Sequence, residues 1–236
     1  MEQFNRTEML LGKDGVSRLQ GATVAVFGVG GVGGYAVEAL ARGGIGKLIL
    51  YDNDVVSISN INRQIIATHD TVGQLKVEVC RNRALSINPE IVVKANAQFI
   101  TEQNAAELDM RGWDYIIDAI DTVSAKLALV KAAKENNVPI ISAMGAANKL
   151  DATAFCVTDI FKTEMDPLAR VMRRELRISG IKSLKVVYSK EQALKPAQTD
   201  EKLPQGRRSI PGSVSYVPGV EGLILAGEVI KAIALQ

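Results

Sequence analysis

A glycine-rich segment offers the clearest chemistry in this sequence. The run Gly28–Gly33 (GVGGVG) follows a short β-branched stretch and precedes a helical one. Glycines let the backbone turn tightly and approach a phosphate, while the following helix N-terminus supplies free N–H groups and a positive potential. Asp52 ends the next predicted strand, at the distance where an acid binds ribose hydroxyls. Strand, glycines, helix and acid in this order predict a nucleotide site.

Two cations follow at short spacing. Arg63 and Lys76 lie 13 residues apart, in a region where both could converge on the glycine segment. A triphosphate that loses pyrophosphate needs cations to take up charge as the bond breaks, whereas the pyrophosphate of NAD needs little beyond a helix N-terminus. Ordinary surface ion pairing is the alternative for either residue. The combination favours ATP, and NAD-dependent oxidoreduction remains a rival hypothesis.

Alternating strands and helices must position these residues. The predicted strands are Thr23–Phe27, Lys47–Tyr51, Ile91–Ala97, Asp114–Asp118 and Val138–Ala143. The predicted helices between them are Val32–Arg42, Gln74–Ile87, Thr101–Asp109 and Val123–Asn136. Such alternation predicts a doubly wound α/β fold with a mainly parallel sheet covered on both faces, and a Rossmann-like nucleotide-binding half at residues 1–145.

The pattern changes after Gly145. Two strands, Ala152–Val157 and Leu184–Tyr188, flank a helix that Asp166 can cap and that places Pro167 at its first position, where proline is favoured. Residues 191–212 contain three prolines and two glycines, which predicts a mobile loop. A last helix is expected over Val220–Ala234. We therefore expect one domain, in which residues 146–236 form an antiparallel extension for substrate binding and dimerisation.

Composition excludes several classes of protein. The 236 residues are 47% hydrophobic and 23% charged, which argues against wholesale disorder. Two cysteines, Cys80 and Cys156, cannot build a disulfide framework or a four-thiolate zinc site, and small buried side chains are the expected role of both. The charged start of the chain and the charges in its last apolar segment predict no signal peptide and no membrane span, hence a cytoplasmic protein. The single histidine, His69, is expected at the surface or as a cap.

Four spaced motifs resemble those of the E1-like (ThiF-type) adenylate-forming enzymes. They are GVGGVG, DNDVVSISNINRQ after the second strand, GQLK at residues 73–76 and DAID at residues 118–121. The resemblance spans about residues 6–145. It implies ATP binding at Gly28, Gly30, Gly31, Gly33, Asp52, Asp54, Asn60, Arg63, Gln64, Lys76 and Asp121.

The resemblance also implies individual roles. Asp52 would hold the ribose, Asn60 and Arg63 the phosphates, and Lys76 the α-phosphate region. Asp121 would coordinate Mg²⁺, although it could instead cap the next helix, a role that Thr122 could share. Arg6 matches an arginine that reaches into the neighbouring subunit's site, which implies a homodimer. Arg63, Lys76, Asp121 and Arg6 are the residues expected to carry catalysis, in which a substrate carboxylate attacks the α-phosphorus of ATP.

A second set of segments narrows the resemblance. VTDIFKT with DPLAR at residues 157–170, the opening FNRTE and the closing YVPG resemble the branch that dehydrates N6-threonylcarbamoyladenosine at position 37 of tRNA. The branch implies a tRNA partner. Residues 170–208 hold 11 basic and 4 acidic residues, an excess that suits tRNA phosphates. The candidates for tRNA contact are Arg170, Arg173, Arg174, Arg177, Lys182, Lys185, Arg207 and Arg208, with a solvated helix face as the alternative.

Two other functions remain open at this stage. The protein could activate the C-terminus of a ubiquitin-like sulfur carrier, or it could be a nucleotide-binding module without turnover. Relatives that serve sulfur carriers often hold zinc through two CxxC pairs, and some use a cysteine nucleophile after the fifth strand. This sequence contains no CxxC, and Gly145-Ala146-Ala147-Asn148-Lys149 has no thiol, so we expect no zinc. A sulfur-relay protein partner is left undecided by the sequence.

Overall fold

A computed structural model describes residues 2–197 and 211–236 of the chain. The strands are β1 (Thr23–Phe27), β2 (Lys47–Tyr51), β3 (Val92–Asn96), β4 (Tyr115–Asp118), β5 (Ile140–Ala143), β6 (Phe155–Asp159) and β7 (Lys185–Ser189). The helices are α1 (Asn5–Gly21), α2 (Gly33–Gly43), α3 (Lys76–Ile87), α4 (Glu102–Ala106), α5 (Val123–Glu135), α6 (Pro167–Ile178) and α7 (Val217–Ala234). Short 3₁₀ turns link several of them.

The strands of the described residues form one sheet in the order β3-β2-β1-β4-β5-β7-β6. Every neighbouring pair is parallel except β6 and β7, which are antiparallel. The predicted α/β class is thus confirmed, including its antiparallel C-terminal part. Chain order reverses between β1 and β4, and ligands of such sheets bind at the carboxyl ends of the strands beside this reversal.

Both faces of the sheet are buried, as parallel sheets require. Successive residues of β1 point to opposite faces, so that Val24 and Val26 join one core cluster while Ala25 and Phe27 join the other. Helices α1, α2, α3 and α7 cover the first face, and α4, α5 and α6 cover the second. The β-branched runs predicted the central strands well because β1, β2, β4 and β5 are buried on both sides, whereas the edge strands β3 and β6 are only partly buried.

Helix α1 is the main element that the sequence pattern did not indicate. Its buried residues are only Gly15, Val16 and Leu19, and Gly12 interrupts it with a φ of 72°. A helix with so short an apolar stripe has little periodic signal.

Several predicted boundaries shift in the structure. Residues 152–154, predicted as strand, form a 3₁₀ turn because the Asp151 carboxylate accepts the Thr153 N–H at 2.8 Å, and β6 begins only at Phe155. Helix α4 ends at Ala106, three residues before its predicted end. Helix α7 begins at Val217, three residues earlier than predicted. Proline is favoured in the first turn of a helix, where a backbone N–H would have no partner within the helix, and Pro218 occupies this turn.

The last helix ties the two halves of the chain together. Helix α7 packs against α2 and α1 and also contacts β4, β5 and β7. Residues 191–197 and 211–212 carry no helix or strand, while the rest of the predicted 191–212 loop lies outside the described residues. Among the helices of the described ranges, none combines the length and hydropathy needed to cross a bilayer.

Candidate active site

A large cleft opens at the carboxyl ends of the strands, where chain order reverses. Its volume is about 1040 Å³. Ten of the residues predicted to bind ATP line it, namely Gly28, Gly30, Gly31, Asp52, Asp54, Asn60, Arg63, Gln64, Lys76 and Asp121. Residues distant in sequence thus meet because β1, β2 and β4 all end at this edge of the sheet.

Gly33 is predicted to bind ATP but does not line the cleft. It is the buried first residue of α2, and a Cβ at this position would lie 1.8 Å from the Gly28 carbonyl oxygen. The structure therefore gives Gly33 a packing role, in which the absence of a side chain lets the helix start directly against the turn. The glycine turn itself closes onto β2 through a 2.7 Å hydrogen bond from the Gly28 N–H to the Tyr51 carbonyl.

Asp52 connects the glycine turn to the cation side of the cleft. Its Oδ2 accepts the Val29 N–H at 2.9 Å, and its Oδ1 accepts the Asp54 N–H at 2.9 Å. Burial raises the pKa of the Asp52 carboxyl above its usual value, while the nearby Lys76 ammonium and the two N–H donors oppose that rise. The carboxylate is therefore held in place at the end of β2 before any ligand arrives.

Both predicted cations line the cleft. Lys76 is the buried first residue of α3, and its Nζ lies 2.7 Å from the Asp54 carboxylate. Arg63 packs its aliphatic part over Gly31, since a Cβ there would lie 3.5 Å from the Arg63 Cγ. Its Nη1 donates to the Ser59 carbonyl at 2.9 Å. The structure thus places both positive charges on the wall of one cleft.

Asp121 follows β4 on the opposite wall and is exposed. The N-cap position of α5 is occupied by Thr122 rather than by Asp121, and the Thr122 side chain makes no capping hydrogen bond. Thr122 Oγ1 lies 3.3 Å from Asp121 Oδ1. Within the described ranges no group of three or more acidic, histidine or cysteine side chains is arranged to hold a metal. A single carboxylate still suits Mg²⁺, which commonly takes one or two carboxylates together with substrate phosphates and water.

A buried ion pair supports the turn that carries Asp121. Lys126 Nζ lies 2.9 Å from Asp118 Oδ2, with both side chains at most 1% exposed. The other oxygen of Asp118 accepts the Ile120 N–H at 3.1 Å. Lys126 was not predicted as a functional residue, because a lysine on a helix is normally exposed. Its spacing of eight residues from Asp118 was the only sequence signal for the ion pair.

A second part of the cleft, which we call the distal lobe, extends beyond β4. Its lining residues are Met144, Gly145, Ala146, Ala147, Leu168, Pro196, Ala197, Pro211, Gly212 and Ser213. Asn148 joins these segments: its backbone N–H donates to the Gly212 carbonyl, its Oδ1 accepts the Gly212 N–H, and its carbonyl accepts the Leu194 N–H, at 2.7–2.8 Å. Asn62 reaches across to the Ser213 carbonyl at 3.1 Å. These hydrogen bonds hold the wall of the distal lobe together, and none of its lining residues was predicted individually as a site residue.

Glu221 lies behind the distal lobe without any exposure to solvent. Its Oε1 accepts the Met144 N–H at 3.1 Å, and its Oε2 has no hydrogen-bond partner among the described residues. Burial raises the pKa of the Glu221 carboxyl to about 8, against the attraction of Lys126 and Lys149. The group is therefore mostly protonated at neutral pH. Its place as the one charged residue in the otherwise apolar run 217–227 was the only sequence signal for it.

We expect Glu221→Gln to flatten the pH dependence of stability. An acid with a folded pKa raised from 4.5 to about 8 stabilises the fold fully below pH 4.5. That contribution is lost toward pH 8, by up to about 1.4 kcal/mol per pH unit. Glutamine does not ionise, so the variant should gain stability over wild type between pH 5 and pH 8. Urea unfolding at several pH values measures this difference.

Glu228 on the same helix provides the control for Glu221. Burial there is partial, and hydrogen bonds from Lys185 and Lys231 hold the pKa of Glu228 below its usual value. Glu228→Gln should therefore show no comparable gain with rising pH. Parallel stability curves for wild type and Glu221→Gln would contradict the prediction.

The predicted tRNA-contacting residues do not form one uniform stripe. Arg170, Arg174, Arg177 and Lys182 are exposed, with Arg174 paired to Glu175 and Arg177 lying 5.3 Å from the centre of the Phe161 ring. Arg173 turns inward and donates to the Thr163 carbonyl at 2.9 Å. Arg207 and Arg208 lie outside the described residues.

Lys185 lies at the edge of the sheet opposite to the cleft. It is the first residue of β7, which runs parallel to β5, so it sits at the amino-terminal edge of the strands. Its ammonium pairs with Glu228 at 2.5 Å. It was grouped with the arginines because it belongs to the basic excess of residues 170–208, and an excess of charge in the sequence does not reveal at which edge of the sheet a residue lies.

The remaining reactive side chains lie away from the cleft wall. Cys80 is buried, and burial with the nearby Asp52 and Glu38 carboxylates raises its pKa to about 12. Cys156 is half-buried in β6, and neither cysteine lines the cleft. His69 is exposed in a 3₁₀ turn. Arg6 is exposed on α1 and does not line the cleft of its own chain.

Known proteins resemble this chain over almost its whole length. The sequence model described as ThiF family matches residues 4–236. The chain is 44% identical to the tRNA threonylcarbamoyladenosine dehydratase of Bacillus subtilis, in an alignment that covers 98% of this chain and 94% of that protein. Crystal structures of E. coli tRNA N6-threonylcarbamoyladenosine dehydratase with AMP and with ATP superpose with TM-scores of 0.90 and 0.89, at 36% and 35% identity. Each covers 99% of this chain and 94% of that chain.

Proposed function

Because this chain belongs to the ThiF family, we propose that it is an ATP-dependent tRNA threonylcarbamoyladenosine dehydratase. The observation that carries the proposal is a single cleft that is lined by the glycine turn, Arg63 and Lys76 and that also includes the distal lobe. The part of the cleft at the glycine turn suits a nucleoside triphosphate, and the distal lobe leaves room for the carboxylic acid that the triphosphate activates. The whole-length similarity to the named dehydratases supports this substrate.

The cleft residues divide the binding of ATP among them. Asp52 accepts hydrogen bonds from the ribose hydroxyls, and the N–H groups at the start of α2 face the phosphates. Lys76 and Arg63 stabilise the negative charge that grows on the leaving pyrophosphate. Asp121 would hold Mg²⁺, which neutralises phosphate charge when bound. In this assignment Asp54 releases Lys76 toward the phosphates.

The reaction then takes two steps that balance in atoms and charge. An oxygen of the threonyl carboxylate attacks the α-phosphorus of ATP, and the bond to the bridging oxygen breaks to release pyrophosphate. A ureido nitrogen of the same modified adenosine attacks the activated carbonyl carbon, loses its proton and displaces AMP. The product is a five-membered ring, and the nucleoside has lost one water. Ring closure is intramolecular, so its effective molarity is high.

The lack of a nearby thiol supports direct ring closure. Neither Cys80 nor Cys156 lines the cleft, so neither thiol is placed to form a thioester with an acyl group held there. An enzyme that passes an acyl group to a cysteine would place a low-pKa, accessible thiol beside the adenylate. Burial gives Cys80 the opposite property.

The surroundings of the cleft extend the proposal to its partners. Leu168, in the first turn of α6, lines the distal lobe, and the exposed Arg170 and Arg174 follow on the same helix. Positive charges there would contact phosphates of the tRNA anticodon loop and position adenosine 37. Arg6 would complete the site of a second copy in a cytoplasmic homodimer.

Mass spectrometry of tRNA nucleosides tests the function. Purified protein is incubated with ATP, Mg²⁺ and tRNA that carries N6-threonylcarbamoyladenosine. The mass of that nucleoside is expected to fall by the mass of one water, because ring closure is a dehydration. Omission of Mg²⁺ should suppress the loss. An unchanged nucleoside, together with adenylation of an added sulfur-carrier C-terminus, would overturn the proposal in favour of carrier activation.

A further inference from the structure

A second buried ion pair lies directly beneath the distal lobe. Lys149 Nζ is 3.0 Å from Asp166 Oδ2, and both side chains are 1% exposed. The other oxygen of Asp166 accepts the Ala169 N–H at 2.8 Å and so caps α6. The pair therefore joins the segment after β5 to the start of the helix that carries Leu168. A buried charge pair at this depth is weak evidence for stability, because desolvation offsets much of the attraction.

Gly145 is enclosed by both members of this pair. The Lys149 ammonium donates to the Gly145 carbonyl oxygen. On the other side, a Cβ at Gly145 would lie 2.9 Å from Asp166 Oδ2. Any displacement of either charge therefore moves the backbone of a residue that lines the distal lobe.

Neighbouring residues fix the same backbone at two further points. Glu221 accepts the N–H of Met144, just before Gly145, and Asn148 bonds Leu194 and Gly212 just before Lys149. Asn148 adopts a left-handed backbone with a φ of 59°, a conformation that costs energy in a residue with a side chain. The segment 144–148 is thus held from several sides in one conformation.

We propose that Lys149 and Asp166 are positioning residues for the tRNA substrate. Through Gly145, they set the wall of the distal lobe against which the threonylcarbamoyl group lies while its carboxylate faces ATP. The pair touches neither the nucleotide part of the cleft nor Lys76, so its removal should act on the tRNA and leave ATP binding unchanged. The inference rests on the proposed function, since it names the wall that orients that substrate.

A double variant separates positioning from folding. Lys149→Met with Asp166→Asn removes both charges at once, which buried pairs often tolerate, and asparagine is still able to cap α6. We expect KM for the modified tRNA to rise, or kcat to fall, by about tenfold or more, because small misplacements of a reacting group are costly. The dissociation constant of ATP, measured by calorimetry, should stay within about twofold of wild type, because the substitutions leave the nucleotide part of the cleft unchanged.

Glu38→Gln with Arg83→Met provides the matched control. This pair, at 2.6 Å, joins α2 to α3 away from the cleft lining, and its loss should leave the tRNA kinetics unchanged. If the wild-type protein is active and the Lys149/Asp166 variant shows the same tRNA kinetics, the positioning role is wrong while the proposed function stands. A wild-type protein that dehydrates no tRNA would overturn the proposed function, and the inference with it.

Gly145→Ala tests the same idea if the double variant does not fold. The added methyl group points at Asp166 rather than into the cleft. It should displace the same wall with both charges still present, and it should raise KM for tRNA with ATP affinity unchanged. Wild-type tRNA kinetics in this variant would contradict a positioning role for the pair.

Discussion

Replacing Lys76 with methionine should remove almost all tRNA dehydration and leave the fold intact. The ammonium is the buried cation nearest the Asp52 and Asp54 carboxylates on the cleft wall, and the proposed chemistry uses it where pyrophosphate charge develops. Loss of one preorganised electrostatic contact of this kind costs about 10²–10³ in kcat. Its partner Asp54 is 60% exposed, so water covers the carboxylate that remains. The change in unfolding free energy should therefore be about 1 kcal/mol or less.

Nucleoside mass spectrometry under single-turnover conditions measures this loss, and thermal melts check the fold. Lys47→Met is the matched control, because Lys47 is an exposed lysine at the amino-terminal end of β2, away from the cleft. It should keep wild-type activity. A Lys76→Met protein that folds normally and retains near wild-type activity would refute the assigned role.

Gly33→Ala should weaken ATP binding and destabilise the protein at the same time. Its Cβ would meet the Gly28 carbonyl oxygen at 1.8 Å, and a backbone atom offers no flexible side chain that could give way. Either the glycine turn or the start of α2 must move. Overpacking of this kind costs about 1–3 kcal/mol or more, which corresponds to a fall in Tm of roughly 2–4 °C for each kcal/mol in a chain of this size. ATP affinity should fall at least about tenfold, because the turn is displaced from the phosphates.

Gly21→Ala is the control for the glycine turn. Gly21 ends α1, and a Cβ there meets nothing within 4 Å. Calorimetry with ATP and differential scanning calorimetry of both variants distinguish a local clash from a general intolerance of alanine. Wild-type ATP affinity in Gly33→Ala would show that the turn does not bind phosphate as proposed.

The sequence was sufficient for the sheet and for much of the nucleotide side of the cleft. Strands such as Tyr115–Asp118 are apolar on both faces, and local composition alone identifies them. The cap of α6 was also predictable, because Asp166 and Pro167 act within one helical turn. Phosphate-binding and ribose-binding residues sit at strand ends, so the order of elements along the chain already brings them to one edge.

The distal lobe could not be predicted in the same way. Lys126, Lys149 and Glu221 are charged residues within helical or loop patterns, and such residues are normally exposed. Their burial depends on partners that only the fold supplies, as when Lys149 meets Asp166 from a separate segment. Arg173 shows the converse: it is among the residues expected at the tRNA surface, whereas in the structure its guanidinium donates a hydrogen bond to the Thr163 carbonyl.

The packing of α7 on α2 has a consequence for how the protein is made. The helix that begins at the glycine turn lies against the last 20 residues of the chain, through residues such as Gly222, where a Cβ would lie 2.1 Å from the Val32 carbonyl oxygen. During synthesis the nucleotide-binding half, residues 1–145, leaves the ribosome before α7 has been made. The apolar side of α2 stays exposed until residues 217–234 have been made, so we expect this side of the core to pack only after α7 has formed.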